Sequence, residues 1–318
     1  MQRPKNLRQA IIHFADADNC LKYMVARRWP DGVECPTCGR KDPVFLANQR
    51  KWQCKSVHPK RQFSAKVGTI FEDSPLGLDK WLPAVWMLTS DKNGISSYEV
   101  GRALGVTQKT AWFMLHRIRL AMQADSLLKI GGPGSEVEVD ETYIGGKARN
   151  MHEWRKRKVL EGKAGGAVGK VAVQGLLERR GVVRVRVVGD AKRKALVKGV
   201  RMHIKPGTNV YTDDAAAYYG MKGFVHRVIN HAKKYVDGRV HTNSIENFWS
   251  LVKRTLGGTY ISVEPFHLFR YLDEQAFRYN NRKDEDGDSG RFRSALSRIV
   301  GKRFTYAELT GKEGAAAF

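Results

Sequence analysis

The sequence contains little of what secreted and membrane proteins need. Only four of its 318 residues are cysteine, and three of these lie close together. This distribution argues against a disulfide scaffold and favours a metal site. No apolar run is long enough to span a bilayer, and the first residues lack the apolar core of a signal peptide. We therefore expect a cytoplasmic protein with no membrane partner.

Acidic residues are also scarce. The chain has 32 Asp and Glu against 56 Lys and Arg, which gives a net charge of +24. A surplus of this size indicates a polyanionic partner, and nucleic acid is the usual one. A soluble basic protein that associates with ribosomes is the alternative, and it also implies nucleic acid. At 318 residues the chain is long enough for two or three domains with a buried core.

The clustered cysteines predict a zinc site. Cys35 and Cys38 form a C-x₂-C pair, Cys54 follows, and His58 stands four positions after Cys54. Three thiolates and one imidazole suit a tetrahedral Zn²⁺, and a closed set of four ligands indicates a structural site. The alternative is a chance cysteine pair beside an ordinary surface histidine.

Two short helices joined by a glycine bend follow this module. Ser96 and Glu99 form a capping box that predicts a helix start, Gly105 predicts the bend, and Thr107 caps the next helix. The pattern matches a helix-turn-helix. Its last helix would present Gln108, Lys109 and Thr110 to DNA. The alternative is a plain helical connector between two domains.

The second half of the chain predicts a mixed five-stranded sheet in an α/β domain. Residues 136–140 alternate Glu and Val, as in a strand, and place Asp140 near its end. Asp213 ends a later strand and Glu246 lies on a helix. Carboxylates brought together on such a sheet would repel unless cations joined them, so a pair of Mg²⁺ ions is expected. Glu141 is assigned to the opposite strand face.

Lys253 lies two turns after Glu246 on the same helix face, where it could hold a DNA phosphate. The residues leave rivals for two positions. Asp214 adjoins Asp213, but as the residue that opens a helix it is explained by capping alone. Asn243 precedes Glu246, but a neutral amide binds Mg²⁺ less well than a carboxylate. Lys147–Lys170 is a basic stretch predicted to be an exposed loop or arm.

Four motifs together resemble a known family. They are Cys-Pro-x-Cys-Gly at 35–39, Val-Asp-Glu-Thr-Tyr-Ile-Gly-Gly at 139–146, Thr-Asp-Asp-Ala-Ala-Ala-Tyr at 212–218 and His-Thr-Asn-Ser-Ile-Glu-Asn-Phe-Trp-Ser-x-x-Lys-Arg at 241–254. The set resembles the zinc-ribbon DDE transposases of bacterial insertion sequences, the ISXO-like group, over about residues 14–282. The ribbon of that family commonly ends in a second cysteine pair, whereas here Cys54 is followed by His58.

The resemblance implies an RNase H-like catalytic domain and a two-metal cut-and-join reaction on element ends. It implies Asp140, Asp213 and Glu246 as ligands of Mg²⁺ or Mn²⁺, and Lys253 and Arg254 as DNA contacts. The implied partners are double-stranded DNA, as terminal repeats and target, and further copies of the chain. The expected domains are an N-terminal helical segment at 1–30, a zinc ribbon at 31–70, a helix-turn-helix at 71–126, the catalytic domain at 134–282 and a C-terminal tail at 283–318, disordered from residue 311.

Two other functions compete with a transposase. One is a DNA-binding regulator whose RNase H-like domain is inactive, and the intact Asp140, Asp213 and Glu246 argue against it. The other is an RNase H-like nuclease without strand transfer. The zinc ribbon and helix-turn-helix disfavour that function, because they imply recognition of a defined DNA site.

Overall fold

The computed structural model describes residues 4–123, 128–145, 152–154, 157, 168–213, 216–229 and 240–312. The chain divides into two compact units. The first contains Met1–Gln123 and Asn281–Ala315, and the second contains Ala124–Asn280 and Ala316–Phe318. Among the described helices, none is both long and apolar enough to cross a membrane.

The first unit combines helices with a small three-stranded sheet whose neighbouring strands are antiparallel. Side-chain caps begin several helices: Asp16 accepts hydrogen bonds from two backbone N–H groups of the helix that follows it. The elements are α1 (Leu7–Phe14), α2 (Ala17–Arg28), β1 (Val44–Leu46), β2 (Lys51–Gln53), β3 (Gln62–Phe63), α3 (Leu78–Ser90), α4 (Ser97–Leu104) and α5 (Gln108–Met122).

Helices α4 and α5 are the predicted pair. The capping box of Ser96 and Glu99 is present, and Gly105 ends α4 in the left-handed conformation with φ of 64°. A residue with a Cβ would be strained there, which explains the glycine at this bend. Thr107 then caps α5 by accepting a hydrogen bond from the N–H of Thr110. The sequence therefore locates both helices and their connection.

The second unit is built on the predicted mixed five-stranded sheet, whose strand order is β6-β5-β4-β7-β8. Strands β4, β5 and β6 are antiparallel neighbours, whereas β7 runs parallel to β4 and β8 parallel to β7. The central strand β4 is thus flanked on both sides. The elements are β4 (Glu136–Ile144), β5 (Val171–Glu178), β6 (Val183–Val188), α6 (Arg193–His203), β7 (Asn209–Asp213), β8 (Val225–Ile229), α7 (Asn243–Gly258) and α8 (Leu268–Asn280).

Helices cover both faces of this sheet. On one face Leu196 and Val200 of α6 share an apolar cluster with Val137 and Val139 of β4. On the other face α7 and α8 share a second cluster with strands β5 and β6. Alternation along the strands separates the two sets. The predicted Asp214 and most of the basic stretch at 147–170 lie outside the described residues.

The segment 283–318, predicted to be a tail, contains two further helices, α9 (Gly287–Leu296) and α10 (Tyr306–Leu309). The ring of Phe292 lies 4.9 Å from that of Trp86, 5.7 Å from Phe14 and 5.8 Å from Tyr23. Burial of this aromatic side chain outweighs the low helix propensity of the Gly-rich and Asp-rich sequence around it. Residues 313–318 lie outside the described part of the chain.

Candidate active site and zinc site

Asp140 and Asp213 lie side by side on neighbouring parallel strands. Glu138 of β4 pairs with Tyr211 of β7, and each Asp stands two residues further along its own strand. Because side chains alternate between faces, both carboxylates leave the same face at the same level. The structure thus brings together two of the three predicted metal ligands.

Glu141 joins them, contrary to the assignment made from strand alternation. One carboxylate oxygen from each of Asp140, Glu141 and Asp213 lies within 4.8 Å of the others. Glu141 follows Asp140 directly on β4, and its side chain is long enough for the carboxylate to approach both Asp residues. Alternation predicts the strand face from which a side chain leaves the backbone, but it does not predict the position of the carboxylate at the end of a long side chain.

The three carboxylates disfavour one another's charge. Burial, followed by the charge of Asp213, raises the pKa of Asp140 to about 6. Burial, followed by the charges of Asp140 and Asp213, raises the pKa of Glu141 to about 8. The Oε1 atom of Glu141 is buried and has no hydrogen-bond partner among the described residues. Closely spaced carboxylate oxygens whose charges repel one another suit a divalent cation such as Mg²⁺, which prefers hard oxygen ligands.

Trp249 of α7 fixes the orientation of Asp140. Its indole Nε1–H donates to Oδ2 of Asp140 at 3.0 Å, while Oδ1 accepts from the backbone N–H of Glu141 at 2.8 Å. Gly175, which pairs with Asp140 across β4 and β5, makes room for this contact. A Cβ at that position would lie 2.5 Å from Cζ2 of Trp249, so even alanine there would displace the tryptophan.

The start of α7 is held by a buried ion pair. The side chain of Glu138 is fully buried and accepts from the N–H groups of Ser244 and Ile245 at 2.9 and 3.0 Å. Arg179 donates to Glu138 at 2.7 Å and to the carbonyl of His241 at 3.0 Å. A carboxylate at the positive end of a helix is stabilising. Together these bonds hold the start of α7 against β4. They therefore also hold Trp249, which lies on α7, in place to donate to Asp140.

Glu246 lies on the exposed side of α7, outside the cluster of three oxygens. Its carboxylate accepts a hydrogen bond from the hydroxyl of Thr242 at 2.7 Å. Its charge is nevertheless close enough to contribute, as a smaller cause after burial and Asp213, to the raised pKa of Asp140. Lys253 and Arg254 are exposed further along the same helix.

The first unit holds the predicted zinc ligands together. The Sγ of Cys35 lies 3.4 Å from Nε2 of His58, and the Sγ atoms of Cys38 and Cys54 are 3.6 Å apart. All four ligand atoms lie within 4.8 Å of one another. Zn–S bonds of about 2.3 Å in a tetrahedron require sulfurs just under about 4 Å apart, so the spacing fits.

His58 is also oriented for a metal. Its Nδ1–H donates to the carbonyl of Pro59 at 2.7 Å, which leaves Nε2 directed at the thiols. A ring nitrogen fixed in this way is typical of histidine ligands. The arrangement supports a structural zinc with Cys35, Cys38, Cys54 and His58 around it.

Comparison with known proteins identifies two domains in the chain. Residues 130–280 match the model of the ISXO2-like transposase domain, and residues 15–56 match that of the transposase zinc-ribbon domain. The chain is also 29% identical over 244 residues to a protein in transposable element ISH50 of Halobacterium salinarum, which covers 72% of this chain and 79% of that protein. The chain belongs to the ISXO-like family of zinc-ribbon transposases. The resemblance seen in the four motifs is therefore confirmed.

In this transposase the predicted DNA-contacting residues at the start of α5 have partners of their own. Gln108 donates to the hydroxyl of Ser97 at 2.9 Å, and the hydroxyl of Thr110 lies 2.8 Å from that of Thr107. The ammonium of Lys109 lies 4.9 Å from the ring centre of Tyr306. Gln108 and Lys109 remain exposed. Their contact with DNA stays a prediction.

The sequence did not single out Glu138, Arg179, Trp249 or Gly175. A signal existed for Glu138, since an acidic residue between two buried valines in a central strand needs a partner. Arg179 is 41 positions away, so that partner could not be identified from spacing. Gly175 lies in an apolar strand, where glycine often marks close approach of another group.

We expect Glu138→Gln to destabilise the transposase by about 3 kcal/mol, because it leaves Arg179, whose side chain is only 14% exposed, without its nearest carboxylate. The contact between the start of α7 and β4 would also weaken, so backbone hydrogen exchange at Ser244 and Ile245 should become faster. Urea unfolding and exchange mass spectrometry measure both effects. Glu136→Gln is the matched control, since Glu136 is 3.4 Å from the same arginine but is partly exposed. Equal losses for both variants would contradict the role given to Glu138.

The carboxylate cluster predicts a pH dependence of the metal-free transposase. Folding raises the pKa of Glu141 from 4.5 to about 8 and that of Asp140 from 3.8 to about 6. The folded state then holds protons that the unfolded state has lost, so stability falls as the pH rises from about 4 to about 8. Denaturant unfolding at pH 5 and pH 8 in a chelator should show this fall. Glu141→Gln should reduce it, and a Glu141→Gln curve as steep as the unaltered one would contradict the assignment.

Proposed function

We propose that the protein is an active DNA transposase that cuts the ends of its insertion element and joins them to target DNA. The observation that carries the proposal is the convergence of Asp140, Glu141 and Asp213 at one strand end, with Glu246 on the adjacent helix. A regulator with an inactive catalytic domain would have no use for mutually repelling, half-buried carboxylates.

Asp140, Asp213 and Glu246 would hold the divalent cations, Mg²⁺ or Mn²⁺. When bound, such cations supply charge stabilisation for the attacking and leaving oxygens of a phosphoryl transfer. Asp140 is firmly positioned, because Trp249 and the backbone N–H of Glu141 fix its two oxygens. A carboxylate that is already held in place needs little rearrangement during the reaction, and this lowers the activation free energy.

The third ligand has two candidates with different surroundings. Glu246 is exposed on α7, on the helix that also carries Lys253 and Arg254, so DNA can reach it. Glu141 is largely buried and lies in the cluster itself. We assign Glu246 as the third ligand because a cation that also contacts the DNA phosphate must lie toward solvent. Glu141 would then be a neighbouring carboxyl group of the cluster and not a ligand.

Basic and polar side chains would position the DNA. Lys253 and Arg254 are exposed on α7 and suit phosphate contacts. Gln108, Lys109 and Thr110 at the start of α5 would contact the terminal repeat in the major groove. Because an element has two ends, we propose that more than one copy of the chain acts in the complete complex.

The test uses DNA carrying the short inverted repeats that flank the gene. The purified chain with Mg²⁺ should nick at the repeat boundary, leave 3′-hydroxyl ends and join those ends to a second duplex. A nuclease without strand transfer would yield the nicks but no joined product. Binding to the repeats without any cleavage, in Mg²⁺ and in Mn²⁺, would instead support a regulator and overturn the proposal.

A further inference from the structure

A groove along helix α6 is lined by cationic side chains that the catalytic site does not use. Arg193, Lys194, Lys198 and Arg201 of α6 and the neighbouring Lys129 surround it, and all five are exposed. The apolar side chains of Val197 and Met202 lie between them. Among the residues that the structure describes, none that lines this groove is acidic.

The charge of this helix is not balanced locally. No Asp or Glu occurs between Ala191 and Thr212. Lys192 pairs with Asp190 at 2.9 Å, but within the described part of the chain no ion pair is found for Lys194, Lys198 or Arg201. These three residues recur at helical spacing and form one stripe, which we call the α6 stripe. Its repulsion is relieved when a polyanion binds.

The opposite side of α6 explains why the stripe faces solvent. Leu196 and Val200 are buried in the cluster that covers one face of the sheet. The side chains on the far side of the helix must therefore point outward. The stripe is thus held on a packed helix and not on a loop. The seven residue steps from Lys194 to Arg201 rise about 10 Å along an α-helix, which equals about three base-pair steps of B-DNA at about 3.4 Å of axis each.

The α6 stripe lies across the sheet from the helix that carries Glu246. Helix α6 packs with Val137 and Val139, whereas α7 packs on the other face. Asp140 belongs to the α7 face, because Trp249 donates to it. A DNA segment on the stripe is consequently not the segment whose phosphate lies at the carboxylates.

We propose that the α6 stripe binds the phosphate backbone of a second DNA segment, separate from the one being cut. This inference rests on the proposed function, since it assumes that DNA is the polyanion. The contact is to phosphates and carries no sequence preference.

Binding of duplex DNA tests this proposal without any cleavage. In the Asp140→Asn background and without Mg²⁺, Lys194→Gln with Lys198→Gln should weaken binding to a long duplex. The slope of log K against log salt should fall by about 1.8, at about 0.9 per lost phosphate contact. The control, Arg180→Asn with Arg227→Gln, also removes two exposed positive charges but lies on a turn and on β8. An equal loss in both double variants would overturn the proposal.

A second measurement needs no substitution in the stripe. Acetylation of exposed lysines, read by mass spectrometry, should be slowed at Lys194 and Lys198 when duplex DNA is present, and not at the exposed Lys222. ATP at the same phosphate concentration should give no such protection. Unchanged acetylation with DNA, or equal protection by ATP, would contradict a DNA-backbone site. Neither experiment involves cutting. DNA binding by the α6 stripe can therefore be measured even if the protein does not cut DNA.

Discussion

Asp140→Asn and Asp213→Asn are each expected to abolish Mg²⁺-dependent cutting of element ends while DNA binding persists. The amide keeps the size of the carboxylate, and at Asp140 it keeps one of the two hydrogen bonds that the carboxylate accepts, but it loses the charge that holds a hard cation. A bound metal contributes several kcal/mol to such a transition state, so cutting should fall by roughly 10³-fold or more. Cleavage of pre-bound, end-labelled repeats measures the loss, and a gel shift on the same samples measures binding.

The same assay decides the third ligand. Glu246→Gln should be as inactive as Asp140→Asn, whereas Asn243→Ala and Glu141→Gln should keep measurable activity. Asn243 is exposed at the first turn of the same helix and serves as the matched control. Robust cutting by Glu246→Gln with none by Glu141→Gln would move the third ligand to Glu141. Robust cutting by Asp140→Asn would remove the carboxylate cluster from the mechanism altogether.

Loss of the zinc site is expected to unfold the ribbon module. Structural zinc contributes about 10 kcal/mol or more of folding free energy in zinc-finger peptides, and a three-stranded sheet this small has little core to replace it. Cys35→Ser or Cys54→Ser should therefore release the metal and open residues 31–70 to proteases. Metal analysis should give about one zinc per chain for the unaltered protein.

The chain supplies its own control for that experiment. Cys20 is buried in α2, its thiol donates to the carbonyl of Phe14 at 3.1 Å, and burial raises its pKa to about 12. Cys20→Ala should keep the full zinc content. His58→Ala should weaken zinc binding, because Nε2 of His58 lies among the thiols. A chain that retains zinc and protease resistance after Cys54→Ser would contradict the site.

Short-range patterns predicted most of the elements that position these sites. Alternation predicted β4, the capping box predicted α4, and cysteine spacing predicted the candidate zinc ligands, because each signal lies within one short stretch of the sequence. The arrangement around Asp140 needed more. Glu138 meets Arg179, and Gly175 meets Trp249, across elements far apart in sequence, and nothing local to either residue shows its partner.

Two differences between expectation and structure have one physical cause, which is tertiary context. Strand alternation predicts Glu141 on the far strand face, yet one of its carboxylate oxygens lies within 4.8 Å of those of Asp140 and Asp213. The charged sequence at 283–318 predicts a C-terminal tail, yet residues 287–296 of it form α9, and Phe292 of that helix packs against Trp86. In both places packing partners distant in sequence decide the outcome.

Binding of Mn²⁺ tests the central claim most directly, because it measures whether the carboxylate cluster holds catalytic cations. Electron paramagnetic resonance of the intact chain, bound to an uncleaved element end, should count two Mn²⁺ per catalytic unit. Asp140→Asn bound to the same DNA should lose both, since Asp140 would contact each ion. Two bound Mn²⁺ in the Asp140→Asn complex, or none in the unaltered complex, would contradict the account.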